Sequence, residues 1–291
     1  MLKTVFELGS INQDISIVAP LFPKQGETVN GDGLKLALGG KGANQAVALH
    51  HGGARVQLLA KVGKDAFGEN ALKALASFGL DTHTVLVDET ESTGTAVIIL
   101  HDGDNRIILS HGSNYAIKEQ ELDAFLDKAK PGDIFLSQFE NEPGLTLQAF
   151  HKAKEKGLFN VWNPSPIGDF DASMLKDIDM LVVNEKELEA VLLKAGASSI
   201  HELPVSRLLM TFGSKGSKYV GPEGTYSVEA KKIEPVDTTG AGDTYLGFFL
   251  SAFANGKPIP ECLEVATTAS ALACLKRGAS EAIPLLQDCL D

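Results

Sequence analysis

Short runs of apolar residues alternate with longer amphipathic segments along most of the chain. The apolar runs have the length of buried strands, and strands are predicted at 56–61, 133–137, 158–162, 180–183 and 207–212. Helices are predicted at 66–78, 119–129, 143–156 and 185–194, the third opening with Pro143. This alternation predicts an α/β fold, a Rossmann-like, doubly wound and mostly parallel sheet flanked by helices. Ligands are then expected at the carboxyl ends of the strands.

Two pairs of short strands fall outside this alternation. Strands are predicted at 14–18, 34–38, 95–100 and 105–110, the last two joined by a hairpin turn that contains Asp102 and Gly103. Together they predict a small β-sheet apart from the main layer. It is either a lid over a site, formed by about 14–38 and 93–112, or a surface hairpin. No long linker is visible, so residues 1–291 are interpreted as a single domain.

Composition and charge narrow the class of protein. With 44% hydrophobic and 22% charged residues, the chain has the composition of a soluble globular enzyme. The formal net charge of −12 argues against nucleic acid or an anionic membrane as a partner, since both attract clustered cations. Lys3 and Glu7 interrupt the first apolar run, so no signal peptide is predicted. Cys262, Cys274 and Cys289 lack C-x-x-C spacing, which predicts buried thiols in a reduced, cytoplasmic compartment.

Missing motifs exclude several familiar chemistries. The chain has no G-x-x-x-x-G-K-[ST] stretch, which argues against a P-loop, and no G-x-G-x-x-G follows the first strand as in dinucleotide-binding proteins. H-E-x-x-H and G-x-S-x-G are absent too, which argues against zinc and serine hydrolysis. Phosphate handling must therefore use a different loop.

Residues 236–249, VDTTGAGDTYLGFF, carry the strongest chemical signal. A glycine-rich turn that opens a helix presents unpaired amide groups at the positive end of the helix dipole, and so attracts anions. Asp243 adds a carboxylate to the first turn of that helix. Beside a phosphate it could accept the proton of an attacking alcohol, whereas in isolation it would only satisfy the dipole. The surrounding DTTGAG sequence favours the catalytic interpretation.

A second glycine cluster, GGKGANQA at 39–46, precedes an Ala-rich helix. Glycines admit a ligand close to the backbone, and Lys41 and Asn44 offer hydrogen bonds to several hydroxyl groups at once. Asn12 and Asp14 follow the first strand and, spaced by one residue, can point the same way. The pattern suits a sugar, while tight helix packing and an Asx turn are the structural alternatives.

Two further loops follow predicted strands. The stretch NEKE at 184–187 has carboxylate and amide oxygens that suit a water-clad Mg²⁺, although a capped helix start explains them equally. The stretch TFGSKG at 211–216 is either a nucleotide contact or a plain hairpin connection.

Taken together, these segments resemble the PfkB carbohydrate kinase family, in particular its ribokinase-like members. GGKGANQA and DTTGAGD resemble the family's two signatures in the expected order and separation. Shorter segments extend the resemblance over nearly the whole chain: GSINQD at 9–14, STG at 92–94, QFE at 138–140, NPSP at 163–166, NEKE at 184–187 and KRGA at 276–279. The resemblance implies a ribokinase-like fold and an ATP-dependent transfer of phosphate to a sugar primary hydroxyl group.

The resemblance also implies roles for individual residues. Asp243 would be the catalytic base, and the amides of Gly240, Ala241 and Gly242 would form an anion hole. The implied sugar contacts are Asn12, Asp14, Gly40, Lys41, Gly42, Asn44, Glu140 and Asp243. The implied ATP contacts are Asn184, Thr211, Gly213, Ser214, Gly216 and Gly242, with Glu187 organising Mg²⁺ through water.

A monovalent cation, usually potassium, is implied beside the anion hole. Its implied ligands are Asp237, Thr239 and carbonyl groups near Ala273, Lys276 and Gly278. Ala282 stands where the family often has a serine, which is a departure from the family pattern at the expected cation site.

The acceptor and the oligomeric state stay open. The sugar-contact pattern favours D-ribose, with ketohexoses, keto-deoxy acids and nucleosides as alternatives. A nucleoside would need an aromatic residue in the lid, where Phe22 is the candidate, and a keto acid would need a cation, for which Arg106 is nearest. A noncatalytic sugar-binding regulator is the alternative outside enzymes. The family also implies a possible homodimer through the lid, and the alternating Leu34, Leu36 and Leu38 fit such a face.

Overall fold

The computed structural model describes residues 2–102 and 104–290. The strands are Thr4–Leu8 (β1), Asn12–Val18 (β2), Asp32–Gly39 (β3), Arg55–Gly63 (β4), Val85–Asp88 (β5), Gly94–His101 (β6), Asp104–Ser110 (β7), Ile134–Ser137 (β8), Phe159–Trp162 (β9), Met180–Asn184 (β10), Arg207–Thr211 (β11), Ser217–Gly221 (β12) and Gly224–Val228 (β13). The helices are Lys41–His51 (α1), Ala66–Ser77 (α2), Glu119–Leu126 (α3), Pro143–Glu155 (α4), Glu185–Ala195 (α5), Ala241–Ala254 (α6) and Ile259–Cys274 (α7). Every strand and helix predicted from the pattern is present, while β5, β12, β13 and α7 were not predicted.

The large sheet has the strand order β13-β12-β11-β10-β9-β8-β1-β4-β5. Pairing is parallel from β11 through to β5, and β12 and β13 extend the sheet as an antiparallel hairpin. The predicted mostly parallel α/β sheet is thus confirmed. Because β1 has β8 on one side and β4 on the other, the strand order reverses at β1. A ligand site is expected beyond the carboxyl end of β1.

Alternate residues of the central strands face two different apolar cores. Val5 and Val182 belong to the core that includes α1, α2, α6 and α7. Their neighbours Phe6 and Leu181 belong to the core that includes α3, α4 and α5. Since side chains alternate along a strand, Glu7 faces the same core as Val5, and it is fully buried there.

Helices α1 and α6 pack so closely that glycine is required at one contact. A Cβ atom added to Gly247 of α6 would lie 2.3 Å from Cβ of Ala48 and 2.9 Å from the backbone nitrogen of Leu49, both in α1. Carbon atoms do not approach this closely, so only a residue without a side chain fits. The two loops that precede these helices are therefore held on one unit.

Strands β2, β3, β6 and β7 form a separate small sheet in the order β3-β2-β6-β7. The pairs β2–β3 and β6–β7 are antiparallel, and β2 and β6 pair in parallel. The predicted small sheet is confirmed, whereas its action as a lid stays a prediction. The predicted hairpin turn contains Gly103, which lies outside the described residues, and Asp102 before it has a φ of 47°.

Within the two described ranges, no helix is both long enough and apolar enough to cross a bilayer. Cys262, Cys274 and Cys289 are free thiols, and the first two are buried. The cytoplasmic location inferred from these cysteines stays a prediction.

Candidate active site

Asp243 lies in the first turn of α6 and is 7% exposed. Nδ2 of Asn44 donates to its Oδ2 at 3.2 Å, and Nε2 of Gln45 donates to its Oδ1 at 2.8 Å. Both donors lie in α1, so the two glycine motifs of the sequence meet at this carboxylate. A carboxylate held by two amides has a fixed orientation and keeps lone pairs for a further proton.

The two amides that hold Asp243 are themselves held. Oγ of Ser280 donates to Oδ1 of Asn44 at 2.6 Å. Nε2 of Gln138 donates to Oε1 of Gln45 at 2.7 Å. The orientation of the Asp243 carboxylate is thus set by side chains from α1, the loop after β8 and the C-terminal loop.

The turn before α6 has the backbone of an anion site. Gly240 caps the helix with a φ of 71°, a left-handed conformation that glycine adopts without strain. The amides of Gly240 and Gly242 make no hydrogen bond to any described residue, but the amide of Ala241 donates to the carbonyl of Thr238 at 3.2 Å. Of the three amides predicted to bind an anion, those of Gly240 and Gly242 are thus available, whereas that of Ala241 already makes a long, weak hydrogen bond.

A cavity of about 920 Å³ opens beside this turn. Its walls are the start of α5, the loop after β11, the turn before α6 and the facing side of α7. All the residues predicted to contact ATP line it: Asn184, Thr211, Gly213, Ser214, Gly216 and Gly242. Ile233, Pro235, Ala271 and Cys274 add an apolar wall. The volume is in the range of small-molecule sites, while the individual contacts stay predictions.

The loop at the start of α1 is tied to Glu140, which follows β8. Oε2 of Glu140 accepts from Oγ of Ser10 at 2.5 Å and from the amide of Lys41 at 2.9 Å. Oγ of Ser10 in turn accepts from the amide of Gly42 at 3.2 Å. Gly40 caps α1 with a φ of 93°. The structure thus brings Gly40, Lys41, Gly42 and Glu140 together, while their contacts with a sugar stay a prediction.

Asn12 and Asp14 are the first and third residues of β2 and point to the same face of the small sheet. Oδ1 of Asn12 accepts from Nδ2 of Asn114 at 2.8 Å, which orients the Asn12 amide. Burial raises the pKa of Asp14 to about 7, and the charges of Glu140 and Glu281 add to the rise. Carboxylates therefore crowd this side of the site.

Lys41 supplies a positive charge that interacts with the carboxylates of Asp243, Glu140 and Glu187. The charge of Asp243 raises the pKa of Lys41, more than burial lowers it, and Glu140 and Glu187 act in the same direction as Asp243. The ammonium group therefore stays protonated beside Asp243. A cation at this position suits a transferring phosphate group.

Asp237 joins the two loops in which a monovalent cation is predicted. Its Oδ1 accepts from the amide and Oγ1 of Thr239 at 3.0 and 2.7 Å, and its Oδ2 accepts from the amide of Gly278 at 3.0 Å. Burial opposes ionisation of Asp237, but these hydrogen bonds outweigh it and lower its pKa. These bonds bring Thr239 and Gly278, two of the predicted cation ligands, to the Asp237 carboxylate, while the cation itself stays a prediction. Ala282, in place of a serine, is buried.

Asn184 and Glu187 form a reciprocal cap at the start of α5. The amide of Glu187 donates to Oδ1 of Asn184, and the amide of Asn184 donates to Oε2 of Glu187, both at 2.9 Å. The stretch 184–187 therefore forms a capped helix start, which was the alternative to a Mg²⁺ site there. It leaves acceptor capacity on the Glu187 carboxylate, which has about four lone-pair positions. Among residues 2–102 and 104–290, no three His, Cys, Asp or Glu side chains are grouped to hold a metal ion.

The residues that hold Asp243 were largely missed from the sequence. Gln45 and Gln138 lie inside the quoted motifs, but neither was assigned a role, and Ser280 was not assigned one either. Ser10, which bonds to Glu140 and Gly42, was also not assigned a role. Their partners are 32 to 236 positions away along the chain, so no local spacing reveals them. Motif membership was the available signal for the two glutamines.

Comparison with known proteins gives consistent matches over the whole chain. A family model described as pfkB family carbohydrate kinase matches residues 3–286. A ribokinase from Haemophilus influenzae is 33% identical over 303 residues, covering 100% of this chain and 98% of that protein. A ribokinase from Schizosaccharomyces pombe is 34% identical over 299 residues, covering 96% of this chain and 94% of that protein. The structure of an Arabidopsis thaliana ribokinase complexed with ribose and ATP is similar with a TM-score of 0.88 at 29% identity, covering 100% and 98% of the two chains.

Proposed function

This chain belongs to the pfkB family of carbohydrate kinases, and we propose that it transfers the γ-phosphate of ATP to the primary hydroxyl group of D-ribose. The observation that carries the proposal is the position of Asp243. Its neighbours Ala241 and Gly242 line the large cavity, and its carboxylate bonds to Asn44 in the predicted sugar loop. A base at this junction lies between a nucleotide and a polyol.

The proposed reaction is an in-line attack of the sugar hydroxyl on the γ-phosphate. Asp243 accepts the hydroxyl proton as charge develops on the attacking oxygen. The amides of Gly240 and Gly242, together with the Lys41 ammonium group, stabilise the negative charge of the transferring group. Gln45 and Asn44 keep the carboxylate aimed, so much of the rate comes from positioning.

Two cations fit the residues present. Glu187 would hold Mg²⁺ through water, since this ion keeps several waters and needs one or two carboxylates beside the phosphates. When bound, Mg²⁺ neutralises phosphate charge. Potassium would lie at Asp237 and Thr239, with carbonyl groups of Ala273, Lys276 and Gly278. The bonds of Asp237 to Thr239 and Gly278, which draw these loops together, support that position.

The charges around Asp14 support a neutral sugar over a sugar acid. Glu140 and Glu281 already raise the pKa of Asp14, and a substrate carboxylate placed there would add a further negative charge. Arg106 does not offset this repulsion. It pairs with Ile99 on the face of the small sheet opposite to Asp14.

The aromatic candidate for nucleoside binding is engaged elsewhere. The Arg106 guanidinium lies 4.0 Å from the centroid of the Phe22 ring, and His101 packs edge-on against the same ring at 5.4 Å. A base stacking on Phe22 would have to displace one of them. The contact between Phe22 and Arg106 thus accounts for both side chains without a nucleoside or a keto acid as the substrate.

The decisive experiment is ADP release from Mg·ATP with D-ribose, ketohexoses, nucleosides and keto-deoxy acids, each with potassium or sodium. Rapid turnover is expected with D-ribose and little with anionic sugars, because the site is lined with carboxylates. Preference for another neutral sugar would keep the kinase and replace the substrate. No turnover by folded protein on the whole panel would favour a noncatalytic sugar-binding regulator.

We also propose that a second copy of the chain covers the outer face of the small sheet. Leu36, Ile15, Val97 and Ile108 are direct neighbours across four strands and form one apolar row. Leu36 is 53% and Ile108 69% exposed, whereas Leu38, predicted to share this face, is buried. Covering such a row removes apolar surface from water.

Sedimentation velocity tests this dimer. The wild-type protein is expected to sediment as a dimer, and Ile108→Lys as a monomer, because a charge would be buried in the row. Leu193→Lys, at a leucine of α5 that is 83% exposed, should leave the dimer intact. A wild-type monomer at high protein concentration would contradict the proposal.

A further inference from the structure

A continuous line of side-chain hydrogen bonds connects β1 to the proposed base. Nε2 of Gln138 donates to Oε1 of Glu7 at 2.8 Å and to Oε1 of Gln45 at 2.7 Å. Nε2 of Gln45 donates to Oδ1 of Asp243 at 2.8 Å and to Oδ1 of Asn163 at 3.0 Å. The line therefore runs from one buried carboxyl group, through two amides, to another.

The direction of each bond in this line is dictated by Asp243. An ionised carboxylate only accepts, so Gln45 must turn its NH₂ group toward Asp243 and its oxygen toward Gln138. Gln138 must then present its own NH₂ group to Gln45. The same NH₂ group faces Glu7, so Glu7 must accept. If either glutamine amide rotated by half a turn, two oxygens or two NH₂ groups would face each other.

Glu7 is fully buried, which bears on its charge. Burial raises the pKa of Glu7 well above its ordinary value, more than the bond from Gln138 lowers it, and the charge of Asp243 adds to the rise. A second negative charge in this core would cost free energy that a single hydrogen bond does not return. The neutral acid is therefore the form that suits the fold.

Two unpartnered oxygens support the neutral form. Among the described residues, Oε2 of Glu7 and Oε1 of Gln138 are buried and have no hydrogen-bond partner. A protonated Glu7 has one O–H donor, and Gln138 Oε1 is an acceptor that lacks one. A reciprocal acid–amide pair would satisfy both atoms, which buried polar groups normally require.

We propose that Glu7 is a positioning residue for the base: its neutral carboxyl group holds the Gln138 side chain in place, and Gln138 holds Gln45 against Asp243. The inference rests on the catalytic role proposed for Asp243. Glu7 touches neither cavity nor predicted ligand, so its effect on the reaction passes through the two glutamines. Without it, the Gln138 amide loses its side-chain hydrogen bond on the β1 side.

Glu7→Leu removes the anchor with little change in size. The expected result is a fall in kcat of roughly 10- to 100-fold, because the base loses its fixed aim. The KM values for sugar and ATP should change little, since the predicted ligand contacts are untouched. Glu7→Gln should stay near the wild-type kcat, because its amide can accept from Gln138 Nε2 and donate to Gln138 Oε1. Gln138→Leu breaks the same line one step further and should resemble Glu7→Leu.

A merely structural role predicts a different pattern. Asn160→Leu is the matched control. Asn160 lies on β9, the strand beside β8, and is fully buried; among the described residues its side-chain Nδ2 donates to the backbone carbonyls of Phe150 and Asp177. It is expected to lower Tm with kcat of the folded fraction unchanged. Wild-type kcat in folded Glu7→Leu and Gln138→Leu, or an equal loss in Glu7→Gln, would overturn the inference.

Nuclear magnetic resonance gives a readout that does not depend on turnover. In the wild-type protein the side-chain NH₂ signals of Gln45 and Gln138 should exchange slowly with solvent, as expected for buried, bonded amides. In Glu7→Leu both should exchange faster, and in Glu7→Gln neither should. Unchanged exchange in Glu7→Leu would refute the positioning role. Absence of sugar-dependent turnover in the wild type would instead refute the proposed function. The exchange rates would then still show whether Glu7 holds the two glutamine amides in place.

Discussion

Asp243→Asn is expected to lower kcat by roughly 10²- to 10⁴-fold, the range of a lost general base. Asparagine has nearly the same shape but cannot take the hydroxyl proton, so the attacking alcohol loses its acceptor as charge develops. The affinities for sugar and ATP should stay within a small factor, because the walls of the cavity and the Glu140 loop are unchanged. Steady-state kinetics with D-ribose and Mg·ATP, together with calorimetric binding of each ligand, separates these quantities.

The matched control for Asp243 is Glu261→Gln. Glu261 is also an acidic residue in the first turn of a helix, α7, but it is exposed and lies outside the residues that line the cavity. If Asp243 only satisfied a helix dipole, both variants would lose a similar, small amount of stability and keep their activity. A kcat near wild type in Asp243→Asn would reject the catalytic role.

Asp14→Asn is expected to raise the KM for D-ribose by roughly 10- to 100-fold at pH 8, the value of one or two charge-assisted hydrogen bonds. The carboxylate of Asp14 is proposed to accept from adjacent hydroxyl groups, and asparagine replaces one of its acceptors with a donor. The kcat at saturating sugar and the KM for ATP should change much less. Asp32→Asn, at an exposed position of β3, is the control and should behave like wild type.

The same residue predicts how sugar affinity depends on pH. The pKa of Asp14 is raised from 3.8 to about 7, so the carboxylate form gains population as pH rises through 7. The Kd for D-ribose is therefore expected to fall between pH 6 and 8, with a proton released on binding. Titration calorimetry in buffers of different ionisation enthalpy measures both. A wild-type Kd that is independent of pH, or an Asp14→Asn variant that keeps the wild-type slope, would contradict the assignment.

Stability without sugar should follow the opposite sign. Because the folded pKa of Asp14 lies above the unfolded value, the folded state holds a proton that the unfolded state releases. The contribution of this group to stability is fully present below pH 3.8 and is lost as pH rises through about 7. Asp14 therefore lowers the free energy of unfolding at the same pH at which its carboxylate is needed for sugar binding.

Much of the fold follows from local pattern. Central strands of a parallel sheet are buried on both faces and are therefore continuous apolar runs. Strands β8 and β10 have such sequences, so the pattern alone predicts them. The pattern was less informative for β12 and β13, whose positions are only partly buried and rich in polar residues. Helix α7 was missed because small Ala and Thr residues blur its apolar stripe.

The candidate site also has residues that the local sequence predicts and residues that it does not. Asp243 and the glycine turns were identified because helix starts and anion binding are local properties. The hydrogen-bond network that orients Asp243 was not identified, because it joins residues of β1, α1, the loop after β8 and the C-terminal loop that only the folded sheet brings together. Glu7 is the clearest case. In the sequence it interrupts an apolar run, whereas in the fold the alternation of β1 turns it into the core, toward Gln138.

The close packing of α1 against α6 has a consequence for how the site can move. Gly247 lets the backbones of the two helices touch, so the sugar loop at the start of α1 and the base at the start of α6 share one rigid platform. Motion that admits substrate and then shuts out water is therefore not expected to separate these two loops. If the small sheet, which carries Asp14, acts as the predicted lid, we expect it to move over a fixed pair of loops. Natural variation that tunes opening rates would then accumulate in β2, β3, β6 and β7, while the helix pair tolerates almost none.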